Sequence, residues 1–315
     1  MKLISVVAPI YNESGIVGEY CRVTRQTLDT LADSYVYEII LVNDGSADAT
    51  LAEMFAEQRR DPEHVAVVSL TRNFGLEGAV QAGLRYAKGD AVIVMDADLQ
   101  DPPGLICEMV KQWESGADVV HGVRANRKSD TVFKRSTANF YYKVLSNLAG
   151  KIPLKQGAAN YKLISRRALE LMDDLPEHNR VFRITVPYVG LKTGTVEYER
   201  DKRYAGKTKY NLKSMIPYAL DSVTSMSVEP LRKIRISVYL SGILLLLSAA
   251  FGIVIHRELW RMAALLMGLI SFFHLMLSVC LAVIAEYTAQ IFIEVKGRPI
   301  SMVDQYSPPK RGETT

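Results

Sequence analysis

Short apolar runs alternate with amphipathic stretches through the first 125 residues of the chain. The runs Leu3–Ala8, Tyr37–Val42, Val65–Leu70, Ala91–Met95 and Asp118–Val123 are rich in Val, Ile and Leu and have strand length. Between them lie helical patterns such as Gly78–Ala87, where Ala79, Val80, Gly83, Leu84 and Ala87 share a face. Continuous apolar strands separated by helices predict an α/β domain with a mostly parallel sheet covered on both sides. Polar clusters follow four of the strands: Tyr11-Asn12-Glu13, Asn43-Asp44-Gly45-Ser46, Thr71-Arg72-Asn73-Phe74-Gly75 and Asp96-Ala97-Asp98-Leu99-Gln100-Asp101. In a parallel sheet all four fall on one rim, where such sheets bind ligands.

The pattern changes further along. Residues 126–200 read as mixed α+β, and 201–230 as an amphipathic juxtamembrane segment. Two uncharged runs follow, Ile236–Ile255 and Met262–Ala285. Each can cross a hydrocarbon core of ~30 Å at roughly 1.5 Å per residue. The short connector His256–Arg261 predicts a two-helix transmembrane hairpin within 231–288, with 289–315 as a tail. Arg232, Lys233 and Arg235 flank the first run, and Lys296, Arg298, Lys310 and Arg311 follow the second. By the positive-inside rule the N-terminal domain (1–200) and both termini are expected to be cytoplasmic, in a multi-pass protein of the inner or plasma membrane. No basic-then-apolar leader precedes the first strand, so no cleaved signal is expected.

Composition sharpens this picture only in part. Of 315 residues 49% are hydrophobic, an average over a charged front and an apolar back. The net charge of +4 is too small to point to nucleic acid, and the basic residues gather near the apolar runs, as anionic membrane lipids would favour. Cys21, Cys107 and Cys280 are far apart and form no CxxC pair, which excludes a disulfide frame or zinc site.

The candidate chemistry sits at Asp96 and Asp98. Alternation in an extended segment puts both carboxylates on one side. Hard oxygen donors at a strand end suit Mg2+ or Mn2+ shared with a substrate diphosphate, where the cation would neutralise a departing nucleotide. Asp-x-Asp alone is a weak signal, but Pro9-Ile10-Tyr11-Asn12-Glu13, Val42-Asn43-Asp44-Gly45-Ser46, Arg72-Asn73-Phe74-Gly75 and Asp96-Ala97-Asp98-Leu99-Gln100-Asp101-Pro102-Pro103 occur in order. With Arg203-x-x-Gly206-Lys207-Thr208-Lys209-Tyr210 and the apolar runs, the set resembles family 2 glycosyltransferases of the GT-A fold, in the branch that loads sugars onto polyprenyl phosphates.

The resemblance implies a nucleotide-sugar donor, with a UDP-hexose favoured, and a polyprenyl phosphate acceptor such as undecaprenyl phosphate. It implies that Pro9, Tyr11, Glu13 and Asp44 hold base and ribose, that Asp96 contacts ribose or diphosphate, and that Asp98 and Gln100 ligate the metal. Arg203 and Lys209 would meet the phosphates of acceptor and donor, while Lys207 reads more simply as a lipid-facing cation. Paired spans are also compatible with a homo-oligomer.

Two positions depart from the pattern. Asn160, in Ala159-Asn160-Tyr161-Lys162-Leu163, stands where bactoprenol-type relatives carry an Asp, the usual candidate base. Leu76 stands where relatives often carry Lys. An amide accepts no proton usefully near neutral pH. Either turnover is impaired, or no base is needed because a phosphate monoester, with a second pKa near ~6, is already an anion. The second alternative makes Asn160 a positioning residue in an inverting displacement. A non-catalytic scaffold that binds nucleotide-sugar or lipid phosphate remains the rival from another class. A processive polysaccharide synthase is disfavoured because neither Trp113 nor Trp260 lies in Gln-x-x-Arg-Trp.

Overall fold

The structure, a computed structural model, describes residues 1–124, 158–177, 182–199 and 259–310, with residues 231, 234, 236, 239–244, 246 and 247 also described as helical. The chain divides into two compact units, one holding the sheet and the other the long apolar helix.

In the first unit the strands are β1 (Lys2–Ile10), β2 (Tyr35–Asn43), β3 (Val65–Leu70), β4 (Ala91–Val94), β5 (Val119–Arg124), β6 (Ala158–Ser165), β7 (Thr193–Tyr198) and β8 (Val303–Ser307). The helices are α1 (Val17–Asp29), α2 (Thr50–Arg60), α3 (Leu76–Tyr86), α4 (Leu105–Glu114), α5 (Arg166–Asp173) and α6 (Phe182–Tyr188). All five expected strands form, within a residue or two of their expected ends. The strands make one eight-stranded sheet in the order β7-β5-β6-β4-β1-β2-β3-β8. Pairings β1–β2, β1–β4, β2–β3 and β5–β7 are parallel, while β4–β6, β5–β6 and β3–β8 are antiparallel.

Alternation along each central strand feeds two cores, one on each face. Ile4, Val6, Ala8 and Ile10 of β1 join Ile39 and Leu41 of β2 under α1 and α4. Val7, Ile40 and Val42 point the other way, against Ala79, Val80 and Leu84 of α3. Burial on both faces explains why these strands read as unbroken apolar runs.

Of residues 289–315, expected as a tail, the structure describes 289–310, and these include regular elements. The helix runs to Lys296, and β8 then joins the sheet against the edge of β3. Val303 and Tyr306 pack on the second core, and Tyr306 stacks on Tyr86 with ring centroids 4.1 Å apart. Gln58 Nε2 donates to the Ser307 carbonyl at 2.9 Å, securing the strand from α2. An open β3 edge offers unpaired backbone groups, and two apolar side chains suffice to hold a strand there.

The second unit contains α7 (Leu259–Lys296), 38 residues and roughly 57 Å long at about 1.5 Å per residue. Its stretch Gly268–Lys296, in which an 18-residue window reaches a mean hydropathy of 2.3, is the one helix among the described residues long and apolar enough to cross a membrane. Leu266 and Leu281 are exposed on one side and Phe272, Leu275 and Val279 on the other, so the helix is apolar around its circumference rather than along one stripe. The expected connector ends early, because Leu259–Arg261 are already helical. Nothing in Leu-Trp-Arg breaks a helix. The first apolar run, Ile236–Ile255, lies largely outside the described residues.

Candidate active site

The sheet order fixes where a site can form. From β1 the chain winds to β2 and β3 on one side, then returns to place β4 on the other. The carboxyl ends of β1 and β4 therefore flank a switch point, the crevice where open parallel sheets bind ligands. Pro9 closes β1 there, Tyr11 stands exposed just beyond it, and Asp96–Asp98 leave β4 beside them, with Met95 N–H donating to the Val7 carbonyl at 3.0 Å.

Hydrogen bonds tie the first three loops into one rim. Asn12 N–H donates to Ser46 Oγ at 2.9 Å, and Ala47 N–H donates to Asn12 Oδ1 at 2.7 Å. Glu13 N–H donates to Thr50 Oγ1 at 2.9 Å. Asn12 adopts a left-handed φ of 49°, which asparagine tolerates better than most residues. Asn43 bridges the next pair of strands, donating from Nδ2 to Ser69 Oγ at 3.0 Å and accepting Ser46 N–H at Oδ1.

Asp44 is buried at the centre of this rim. It accepts Phe74 N–H at 2.7 Å and Gly75 N–H at 3.0 Å, one on each carboxylate oxygen. Its immediate work is to hold the β3 loop, where Arg72 lies 4.0 Å over the Phe74 ring and Phe74 packs on the second core. Burial pushes Asp44 up to about 6, against the two amides and Arg72, which favour its charged form. A folded value above the unfolded 3.8 means that this group stabilises the fold most below pH 3.8. That contribution is lost as pH rises through about 6. Thermal midpoints measured from pH 4 to 7 should therefore show a falling component in the wild type that is absent from Asp44→Asn.

The acidic loop is shaped locally. Asp98, only 8% exposed, accepts Gln100 N–H at 3.1 Å. Leu99 between them has φ of 55°, a conformation costing roughly 1–2 kcal/mol in a non-glycine residue. Packing of its side chain on the first core offsets that cost. Gln100 is partly exposed on the same loop. Asp101 is buried, accepts the Tyr198 hydroxyl at 2.6 Å and lies 3.7 Å from the Arg124 guanidinium. Tyr161 donates to the Pro102 carbonyl at 3.2 Å, and the first turn of α4 opens from Pro102 and Pro103.

Strand β6 supplies the far wall. Val94 pairs with Lys162 antiparallel, so the register carried two residues on sets Asn160 across from Asp96. Asn160 and Lys162 are buried on the face opposite Tyr161, with Lys162 Nζ 4.9 Å from the Phe182 ring. Leu76 opens α3 behind Phe74. Arg203, Lys207 and Lys209 lie outside the described residues. Sequence reasoning gave no role to Tyr198, Tyr161, Asp101 or Arg124. Their partners come from strands distant in sequence, so no spacing marks them.

Among the described residues no three His, Cys, Asp or Glu side chains converge as a complete metal cage. The donors at hand are carboxylate oxygens, which fit a Mg2+ or Mn2+ ion completed by substrate phosphates and water.

Residues 5–183, more than half of the chain, match the profile of glycosyl transferase family 2. The chain belongs to that family. This glycosyltransferase is 36% identical over 311 residues to an uncharacterized glycosyltransferase of Bacillus subtilis (strain 168), covering 96% of this chain and 93% of the relative. It is likewise 36% identical over 303 residues to the SfII prophage-derived bactoprenol glucosyl transferase of Shigella flexneri, covering 94% and 96% of the two chains. Among solved structures, glucosyl-3-phosphoglycerate synthase from Mycobacterium tuberculosis in complex with Mn2+ and UDP-glucose aligns with a TM-score of 0.50 at 20% identity. That alignment covers 71% of this chain and 77% of the synthase, and it shows a shared GT-A-like fold.

Proposed function

We propose that this glycosyltransferase moves a hexose, with UDP-glucose the favoured donor, onto a polyprenyl phosphate such as undecaprenyl phosphate, with inversion at the anomeric carbon. The observation that carries the reading is the Asp96–Asp98 loop at the β1–β4 switch point, in a chain alike over nearly its whole length to proteins named bactoprenol glucosyl transferases.

In this reading Tyr11 and Pro9 receive the base, Glu13 the ribose, and Asp44 shapes the pocket by holding the Phe74–Gly75 backbone. Asp98 and Gln100 would hold a divalent ion, Mg2+ or Mn2+, against the donor diphosphate, with Asp96 contacting ribose or diphosphate. When bound, that ion supplies charge neutralisation for the leaving nucleotide. Asn160, across from Asp96, orients the acceptor phosphate, whose oxygen is largely anionic at neutral pH and requires no general base. Arg203 and Lys209 would neutralise phosphate charge as the oxygen attacks the anomeric carbon.

The acceptor cannot leave the bilayer, so the enzyme must stay beside it. We assign Ile236–Ile255 as a second span antiparallel to α7, giving a hairpin with the catalytic domain and both termini cytoplasmic. The return of the chain from α7 through residues 297–302 to β8 supports this, since an even number of crossings brings both ends to one side.

A panel of labelled UDP- and GDP-hexoses, offered to the full chain with undecaprenyl phosphate with and without chelator, tests the reading. Chelator-sensitive glycolipid from a UDP-hexose is expected. Binding of UDP and Mn2+ without glycolipid from any donor would instead mark a scaffold.

A further inference from the structure

The last rung of the β5–β7 ladder pairs Arg124 with Tyr198, so both side chains come together at the rim. Arg124 Nε donates to the Tyr198 hydroxyl at 3.4 Å, the hydroxyl donates to Asp101 Oδ1 at 2.6 Å, and the Arg124 guanidinium stands 3.7 Å from that same oxygen. Tyr161 packs edge-on against Tyr198, 6.1 Å between centroids, and reaches the Pro102 carbonyl. Asp101 is 1% exposed, and a carboxylate so buried is tolerated only when paired and hydrogen-bonded.

We propose that Tyr198, Asp101 and Arg124 form a brace that holds the acidic loop in the shape that receives the divalent ion. Tyr198 and Arg124 are positioning residues in it and touch neither ion nor donor. The inference rests on the reading of Asp96–Asp98 as a metal–diphosphate site. Leu99, the left-handed residue beside Asp98, lies only two positions before Asp101, and a strained turn persists only where its surroundings over-determine it. The first core holds the Leu99 side chain, and the brace pins the far end of the turn to strands from the other half of the sheet. Charge balance points the same way. Asp96, Asp98 and Asp101 crowd six residues, and Arg124 is a cation that faces Asp101 and acts on Asp96. Partial burial works against the Arg124 charge, yet Asp101, Tyr198 and Asp96 together raise it above its ordinary value. Burial, then the Asp101 carboxylate, keep Tyr198 protonated as a donor far beyond neutral pH.

The test measures binding of Mn2+ to the full-length protein in detergent with UDP present, from the electron paramagnetic resonance signal of free Mn2+, in parallel with thermal midpoints. Tyr198→Phe should weaken Mn2+ binding about tenfold, the scale of one hydrogen bond to a charged group. Arg124→Gln, at a position one-third exposed and so tolerant of change, should weaken it by about threefold or more. Asp101→Asn keeps a carbonyl oxygen for the Tyr198 hydroxyl but loses the charge that faces Arg124, so it should weaken binding no more than Tyr198→Phe, whereas Asp98→Ala should abolish it. In metal-free protein, amide exchange over Leu99–Asp101 should quicken in Tyr198→Phe. Wild-type affinity in both Tyr198→Phe and Arg124→Gln overturns the brace, and Arg124→Gln decides alone if the first variant does not fold. Loss in Asp101→Asn equal to that in Asp98→Ala also overturns it, because Asp101 would then be a ligand. Absence of Mn2+ binding in the wild type overturns the metal reading and the brace together.

Discussion

Asp98→Ala is expected to abolish metal-dependent sugar transfer while leaving the protein folded. The carboxylate accepts the Gln100 amide at 3.1 Å, a bond within its own loop, so its removal loosens that turn and leaves both cores intact. The catalytic loss is larger. Neutralising a departing diphosphate is worth several kcal/mol, and about 4 kcal/mol corresponds to roughly a thousandfold in rate. Asp98→Asn separates the two roles, since its amide oxygen still accepts Gln100 N–H but carries no charge. Rates from labelled UDP-glucose across a Mn2+ titration should fall in both variants, with far-ultraviolet circular dichroism unchanged. Full transfer by either variant would remove Asp98 from the site.

The second large effect is expected at Gly45. Its φ is 64°, and a Cβ there would lie 2.5 Å from the Asn73 amide nitrogen and closer still to the Arg72 carbonyl carbon. Gly45→Ala therefore meets two independent penalties. The left-handed conformation costs roughly 1–2 kcal/mol, and the clash is with backbone, which no rotamer change relieves. The β2 and β3 loops must separate, breaking the Asp44 bonds to Phe74 and Gly75. We expect loss of about 3 kcal/mol or more of stability and weak UDP binding even in molecules that fold, measured by thermal melting and calorimetric titration. Gly104→Ala, where a Cβ meets nothing within 4 Å, is the matched control.

These two residues also mark how far the sequence could be read. The Asp-x-Asp spacing, the apolar run before it and the proline pair after it are local, so together with the three companion loops they make Asp98 a candidate from the sequence. The need for glycine at 45 was half legible: Asn-Asp-Gly-Ser reads as a turn, but the backbone that forbids a Cβ comes from the next loop. Asp44 shows the same limit. Its motif suggested a ligand contact, while its carboxylate is engaged with Phe74 and Gly75, residues about thirty positions away.

Elsewhere the sequence misled for a stated physical cause. The segment after α7 carries no unbroken apolar run of strand length, so periodicity alone marks no strand there. A strand at a sheet edge needs only one apolar face, and Val303 and Tyr306 provide it. Arg124 likewise reads as one more surface cation until the parallel pairing of β5 with β7 sets it beside Tyr198 and Asp101.

The sequence by itself determined the α/β class, the five leading strands, the four polar loops on a common rim and the acidic pair. Each follows from short-range periodicity and composition, which act within a few residues along the chain. Tertiary structure alone decided the strand order that opens a crevice between β1 and β4, the antiparallel register that sets Asn160 across from Asp96, and the brace under the acidic loop. Those depend on which strands pair and in what register, and pairing between segments up to a hundred residues apart leaves no periodic trace in a single chain.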